Sequence, residues 1–306
     1  MLLDVARELE PVVADALNDH YRFDVEWSPS RFIPWDEGRN VVEYPWEPSQ
    51  SSFSPEIRAA LEMALATEED LPSYRSSIEQ RFGRDGAWGE WIRRWTAEES
   101  RHGHALWAFM CATRAADPEV LDADMMATQQ AGFQEDRKSV LEACVYVTIQ
   151  ERATRVSHAG TGRAAKGIDN LAKDLLQRIA QDENHHMIFY RRLVDAALEI
   201  DPSSAVMAIS REIRGFQMPG EHTVPSFRRR AVLIAKAGIY NQSVHINQVI
   251  QPLLKRWKIF DIQGLDAAAE AELELLGAYL IQLRQKAAAE HERIERAKAL
   301  REAVAR

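Results

Sequence analysis

Two copies of one pattern of acidic residues and histidines lie along this chain. The first is Glu68 followed by Glu99-x-x-His102, and the second is Glu151 followed by Glu183-x-x-His186. The lone Glu precedes its pair by 31 residues in the first copy and 32 in the second, and the copies are offset by 83 to 84 residues. Residues three apart on a helix share a face about one turn apart, so each Glu-x-x-His presents a carboxylate and an imidazole to the same neighbour. One such pair is common in any helical protein. Two of them, each preceded at nearly equal distance by another helical Glu, predict a dinuclear carboxylate site inside a four-helix bundle.

Charge balance points the same way. Four carboxylates converging in an apolar bundle would be uncompensated, and burying even one such charge costs several kcal/mol. Two divalent metal ions would cancel all four. A set of carboxylates and imidazoles without thiolate suits iron or manganese better than a structural zinc.

Helical periodicity places the six residues on apolar stripes. Ser54-Pro55-Glu56 reads as a helix start, followed by Ile57, Leu61, Leu65 and Glu68 on one face. Pro72 cannot donate to the carbonyl of Glu68, so a kink or bulge is expected beside that residue. A second helix over about 87–115 carries Trp88, Trp91 or Ile92, Trp95, Glu99, His102, Leu106 and Phe109. A third, from about Arg137 to Ala159, carries Val140, Cys144, Val147, Glu151 and His158. The fourth, over about 168–198, carries Leu175, Ile179, Glu183, His186, Tyr190 and Leu193. The fold expected is all-α: a four-helix bundle over about 54–199, with flanking helices over about 203–306, in a single domain spanning 1–306. The flanking helices are placed at 203–215, 226–250 and 266–304, after a short amphipathic helix at 4–20 and a loop at 21–53.

Local competitors are settled by phase and by the repeat. Glu69 competes with Glu68, and helical phase with Leu61 and Leu65 favours Glu68. Asp182-x-x-His185 competes with Glu183-x-x-His186, but Glu98, Glu99 and His102 align with Asp182, Glu183 and His186. His20, His158, His222, His245 and His291 show no partner pattern and read as structural. The Trp88, Trp91, Trp95 stripe reads as core.

Composition narrows the function classes. No apolar run approaches the length of a membrane span, and the N-terminus, MLLDVARELEPVV, lacks the basic and apolar regions of a signal peptide. Cys111 and Cys144 form no ligand or disulfide framework, so a cytoplasmic location is expected. A net charge of −9 argues against nucleic-acid binding. Between His222 and Phe260, however, there is no acidic residue, while Arg228, Arg229, Arg230, Lys236, Lys255, Arg256 and Lys258 are all basic. That stretch reads either as a docking surface for an acidic partner or as a solvated face.

The strings WTAEESRHG (95–103), QERAT (150–154), DENHH (182–186) and TEEDLPSY (67–74) resemble the soluble acyl-acyl-carrier-protein desaturases. FIPWDEGRN, ISREIRGFQMPG and RRRAVLIAKAGIY look closest to the actinobacterial branch, and the resemblance runs from about residue 4 to 260. It implies a ferritin-like bundle holding two iron ions, with manganese as a possible substitute. Glu68, Glu99, His102, Glu151, Glu183 and His186 would be the ligands. It also implies a proton-delivering hydroxyl at Thr154 and a carboxylate at Asp182 that orients a ligand imidazole. Ser100 stands where plant members carry Asn, and Met187 where they carry Glu. The implied reaction is oxygen-dependent introduction of a cis double bond into an acyl chain carried on acyl carrier protein. Electrons would come from a ferredoxin-type donor, and the assembly would be a homodimer. Arg228, Arg229 and Arg230 become the candidate carrier-docking residues. Another ferritin-like di-iron oxidase, or a carrier-binding paralogue that does not turn over, are the alternatives.

Overall fold

Four long helices form a ring of neighbours around the two copies of the motif. In the computed structural model, which describes residues 5–134 and 139–304, these are α2 (Pro55–Glu68), α4 (Gly86–Ala112), α6 (Val140–Ala165) and α7 (Asn170–Ile200). Helix α2 packs on α4, α4 on α7, α7 on α6, and α6 back on α2. Their starts are written locally. Ser54 accepts from the Ile57 N–H, with Pro55 in the first turn, and Asp169 accepts from Ala172 N–H. Ser139 and Glu142 form a reciprocal capping box on α6. The starts expected at residue 4 and at Arg137 lie outside the described residues.

The remaining helices wrap this ring. They are α1 (Val5–Phe23), α3 (Leu71–Phe82), α5 (Pro118–Ala131), α8 (Pro202–Gly215), α9 (Phe227–Lys236), α10 (Gln242–Val244), α11 (Gln251–Trp257) and α12 (Ala267–Val304). The loop expected at 21–53 is extended chain with three short 3-10 turns. There is no strand among the described residues, and no helix there is long and apolar enough to cross a membrane.

Three elements differ from the sequence expectation. At Pro72 the helix breaks outright: α2 stops at Glu68, and α3 begins with Pro72 in its first turn. The expected helix over 226–250 also breaks. Helix α9 ends at Lys236, Gly238 takes φ 71°, and Asn241 caps a new start by accepting from Val244 N–H. Helix α5 was not anticipated, although Asp117-Pro118-Glu119 is a capped start with proline in the first turn.

The bundle core has two apolar halves with a polar layer between them. One half contains Trp88, Trp91, Trp95, Cys144, Ile149, Tyr190 and Leu193. The other contains Leu61, Leu65, Leu106, Phe109, Leu175 and Ile179. Along α4 and along α7 the chain passes from one half to the other through its Glu-x-x-His. The two helices run through the halves in opposite order, so both motifs meet at mid-bundle.

Candidate metal centre

The polar layer consists of two overlapping groups of buried side chains. Glu68, Glu99, His102 and Glu183 form one, and Glu99, Glu151, Glu183 and His186 the other, each with ligand-type atoms within 4.8 Å of one another. Glu99 and Glu183 belong to both. Glu68 and Glu151, the lone carboxylates of the two copies, each belong to one group, as does each imidazole. The structure therefore gathers all six residues that the motif singled out, with Glu68 in the group and Glu69 outside it.

The donor set fits divalent metal. Glu99 Oε1, Glu151 Oε2, both carboxyl oxygens of Glu183, and Nδ1 of His102 and His186 are buried without a hydrogen-bond partner. Native interiors rarely leave so many polar atoms unsatisfied in one place. His186 Nδ1 comes within 2.8 Å of Glu99 Oε1, and His102 Nδ1 within 3.4 Å of Glu99 Oε2. These nitrogens face a shared centre with the carboxylates. Burial pushes the Glu183 carboxyl well above its usual range, and the charges of Glu99 and Glu151 add to the effect. Oxygen and imidazole donors without sulfur are the ligands of hard to borderline divalent ions.

Each imidazole is held from behind by a carboxylate on the other motif helix. Asp182 Oδ2 is 3.2 Å from His102 Nε2 and accepts from Trp27 Nε1 at 2.7 Å and from Arg101 at 3.2 Å. Arg178 pairs with its second oxygen. Glu98 Oε2 is 2.8 Å from His186 Nε2, and Glu98 also meets His20 Nε2 at 3.1 Å and Arg94. Burial raises both carboxyls, but these hydrogen bonds and charges outweigh it and hold both well below the usual carboxylate range. Each occupied Nε2 leaves Nδ1 as the inward atom, which is how a carboxylate behind a histidine prepares it to bind metal. The sequence reading gave this role to Asp182 alone, although the repeat aligns Glu98 with it.

Two further contacts were not anticipated. His158, taken as structural, is buried with its Nε2 3.1 Å from Glu68 Oε1 and 3.8 Å from Glu183 Oε1. Trp95, taken as core, donates from Nε1 to Glu151 Oε1 at 3.1 Å. Tyr190 is buried and accepts from Trp91 Nε1 at 3.0 Å, a packed role.

A cavity of about 650 Å³ opens onto the centre. Glu68, Glu99 and Glu183 form part of its inner wall, and Leu71, Ile78, Phe133, Val147, Phe216, Phe227, Ala231 and Leu283 make much of the remainder apolar. Thr154 lines it one turn beyond Glu151, its hydroxyl donating to the Gln150 carbonyl at 3.0 Å and accepting from Gln150 Nε2 at 3.1 Å.

Comparisons with known proteins match this architecture. The model of the fatty acid desaturase family aligns with residues 2–305. The chain belongs to the fatty acid desaturase family. DesA1 of Mycobacterium tuberculosis, named "Putative acyl-[acyl-carrier-protein] desaturase DesA1", is 40% identical over 288 residues, covering 90% of this chain and 84% of DesA1. The chloroplastic stearoyl-[acyl-carrier-protein] 9-desaturase of Gossypium hirsutum is 28% identical over 271 residues, covering 79% of this chain and 65% of the cotton protein. The crystal structure of DesA2 from Mycobacterium tuberculosis H37Rv superposes with a TM-score of 0.70 at 25% identity, over 88% of this chain and 98% of DesA2.

Within this desaturase-family chain, one expected docking residue is misplaced. Arg230 is buried, donating to Glu62 Oε2 at 3.1 Å and to the Pro225 carbonyl at 2.7 Å, and pairing with Asp124. It ties α9 to α2 and α5 and cannot meet a partner. Helical phase explains the split: Arg228 and Arg229 lie on the exposed side of α9, and Arg228 also borders the cavity.

Proposed function

We propose that this chain is an acyl-acyl-carrier-protein desaturase that introduces a cis double bond into a saturated acyl chain using molecular oxygen. The observation that carries the reading is the apolar cavity ending on the buried carboxylates. A long methylene chain needs an apolar sleeve, and an unactivated C–H bond needs a metal oxidant at its end. The balance is simple. Two hydrogens leave neighbouring methylenes, a donor supplies two electrons with two protons from solvent, and one O2 becomes two waters.

Glu68, Glu99, His102, Glu151, Glu183 and His186 would hold two iron ions, with Glu99 and Glu183 shared between them. When bound, the irons supply oxygen activation and hydrogen abstraction. The protein's own residues do the rest. Asp182 and Glu98 keep the imidazoles in one orientation. His158 holds Glu68, and Trp95 holds Glu151. The apolar wall excludes water and presents one C–C pair. The Thr154 hydroxyl, fixed by Gln150 on the cavity wall, would deliver a proton toward the centre.

Arg228, at the cavity's border, and its exposed neighbour Arg229 on α9 suit the acidic surface of acyl carrier protein. A ferredoxin-type donor, assembly as a homodimer, a single domain over 1–306 and a cytoplasmic location complete the proposal. The test is one incubation of iron-loaded protein with stearoyl- and palmitoyl-carrier protein, a ferredoxin reducing system and oxygen. An acyl product two mass units lighter, dependent on iron and reductant, is expected. Oxygen consumption without it would make the chain a different di-iron oxidase. No consumption with metal bound would make it a carrier-binding protein without turnover.

A further inference from the structure

One polar pair on the cavity wall has no part in the reading above. His245 lines the cavity, and its Nδ1 lies 2.7 Å from the Tyr240 hydroxyl. Burial lowers the imidazole to about 4, so it is neutral near pH 7. Burial raises the Tyr240 phenol, which therefore keeps its proton. A phenol is the better donor of the two and a neutral imidazole nitrogen the better acceptor. On that ground the bond is assigned as Tyr240 O–H donating to Nδ1, which leaves the ring proton on Nε2. Among the described residues nothing hydrogen-bonds to that Nε2.

The backbone around His245 is built to hold it. His245 opens a π-helical turn, His245–Ile250, that runs into α11 with Pro252 in its first turn. Such turns recur at functional sites. Pro252 has no N–H for the Gln248 carbonyl four residues back, and Arg152 Nε donates to that carbonyl instead, at 2.7 Å. Arg152 follows Glu151 on α6. The turn that carries His245 is thereby fastened to a helix of the metal centre.

A series of ring contacts along the cavity wall links the carboxylates to His245, whose imidazole is shifted by burial alone and by none of their charges. Tyr74 meets Phe133 at 5.2 Å, Phe133 meets Tyr146 at 6.1 Å, and Tyr146 meets Phe216 at 5.7 Å. Phe216 then stacks on His245 at 5.2 Å. Tyr74 lies close enough to Glu68 and Glu99 to feel their charges. The His245 end adjoins Asn241, the exposed Gln242 and Glu290, the polar rim of the cavity.

We infer that His245 Nε2–H donates a hydrogen bond to the thioester carbonyl oxygen of an acyl substrate whose tail runs past it toward the carboxylates. This rests on the desaturase reading of the same cavity. A thioester carbonyl drawn into an apolar cavity loses its water and needs a donor there. A donor on a fastened turn also fixes how many methylenes lie between the carbonyl and the metal centre. His245 is thus a positioning residue for the site of desaturation.

The test is calorimetric titration of the full-length protein with stearoyl-pantetheine and with its thioether analogue, in which CH2 replaces the carbonyl. Wild type is expected to prefer the thioester by roughly tenfold, one hydrogen bond's worth. His245→Phe, which keeps a ring against Phe216, is expected to bind both equally. His245→Gln, which keeps an N–H donor, is expected to restore part of the preference. Equal binding by wild type, or a preference that survives in His245→Phe, overturns the assignment. In turnover the iron-loaded His245→Phe protein should spread the double bond over neighbouring positions, and a single unchanged position would count against the anchor. If wild type makes no unsaturated product at all, the desaturase reading fails, and the titration still decides the His245 contact.

Discussion

At the scale of single residues, the metal centre depends as much on what stands behind the six central side chains as on those side chains. Glu98 and Asp182 occupy Nε2 of His186 and His102, so each ring can offer only Nδ1 inward. Glu98→Gln and Asp182→Asn should each weaken metal affinity by about 10- to 100-fold, measured by competition with a chelator. Affinity equal to wild type in both would remove their orienting role. His158 makes a narrower prediction. The carboxylate it hydrogen-bonds is Glu68, which belongs to only one of the two ligand groups. His158→Ala should therefore move the stoichiometry from two metals toward one, whereas two metals retained would show that Glu68 needs no such support. Neither contact was plain in the sequence, for different reasons. Glu98 was marked by the repeat, being offset 84 residues from Asp182, but an acidic residue beside a ligand also reads as solvated face. His158 lies seven residues after Glu151, and the matching position after Glu68 is Arg75, beyond the break that ends α2. The repeat stops being a symmetry at that point, so no partner pattern could form.

At the scale of elements, proline and glycine decided where sequence periodicity was a poor guide. The stripes on α4, α6 and α7 were legible because each helix is long and its buried face is apolar except at the ligands. The span 226–250 looks equally periodic, yet it is α9, a turn at Gly238 and a second start capped by Asn241. Within α9, helical phase gives three consecutive arginines two fates. Arg230 turns inward between Glu62 of α2 and Asp124 of α5, and burial raises the Glu62 carboxyl even with the arginine beside it. Arg230→Met would leave the half-buried Asp124 without its arginine and Glu62 with Arg58 alone, 3.8 Å away, and should destabilise the protein by about 1.5–3 kcal/mol, read from denaturant unfolding. Arg228→Glu with Arg229→Glu should leave that unfolding curve within about 0.5 kcal/mol of wild type, as exposed substitutions usually do. The same double variant should weaken acyl-carrier binding and flatten its salt dependence. A stable Arg230→Met protein with weakened carrier binding would reverse these assignments.

At the scale of the whole molecule, the bundle keeps a layer of crowded carboxylates and imidazoles between two apolar halves, and that layer couples folding to metal. Glu99, Glu151 and Glu183 lie close enough for each to give an oxygen within 4.8 Å of the others, and Glu183 has no hydrogen-bond partner on either oxygen. Such a layer opposes the packing above and below it unless divalent charge enters. Metal that binds only the folded state at 100 times its dissociation constant adds about 2.7 kcal/mol to stability. For a chain of this size that corresponds to a rise in melting temperature of roughly 5 °C. Glu183→Gln separates the two sides of this balance. It nearly preserves shape, removes one of the crowded carboxylates and takes a shared ligand from both groups. The metal-free variant should melt at or above the temperature of metal-free wild type, and added ferrous or manganous ion should no longer raise it. A metal-free variant that melts well below wild type would mean that Glu183 is held by the fold for its own sake. A variant that still gains stability from metal would mean that the second shared carboxylate, Glu99, suffices to join the pair.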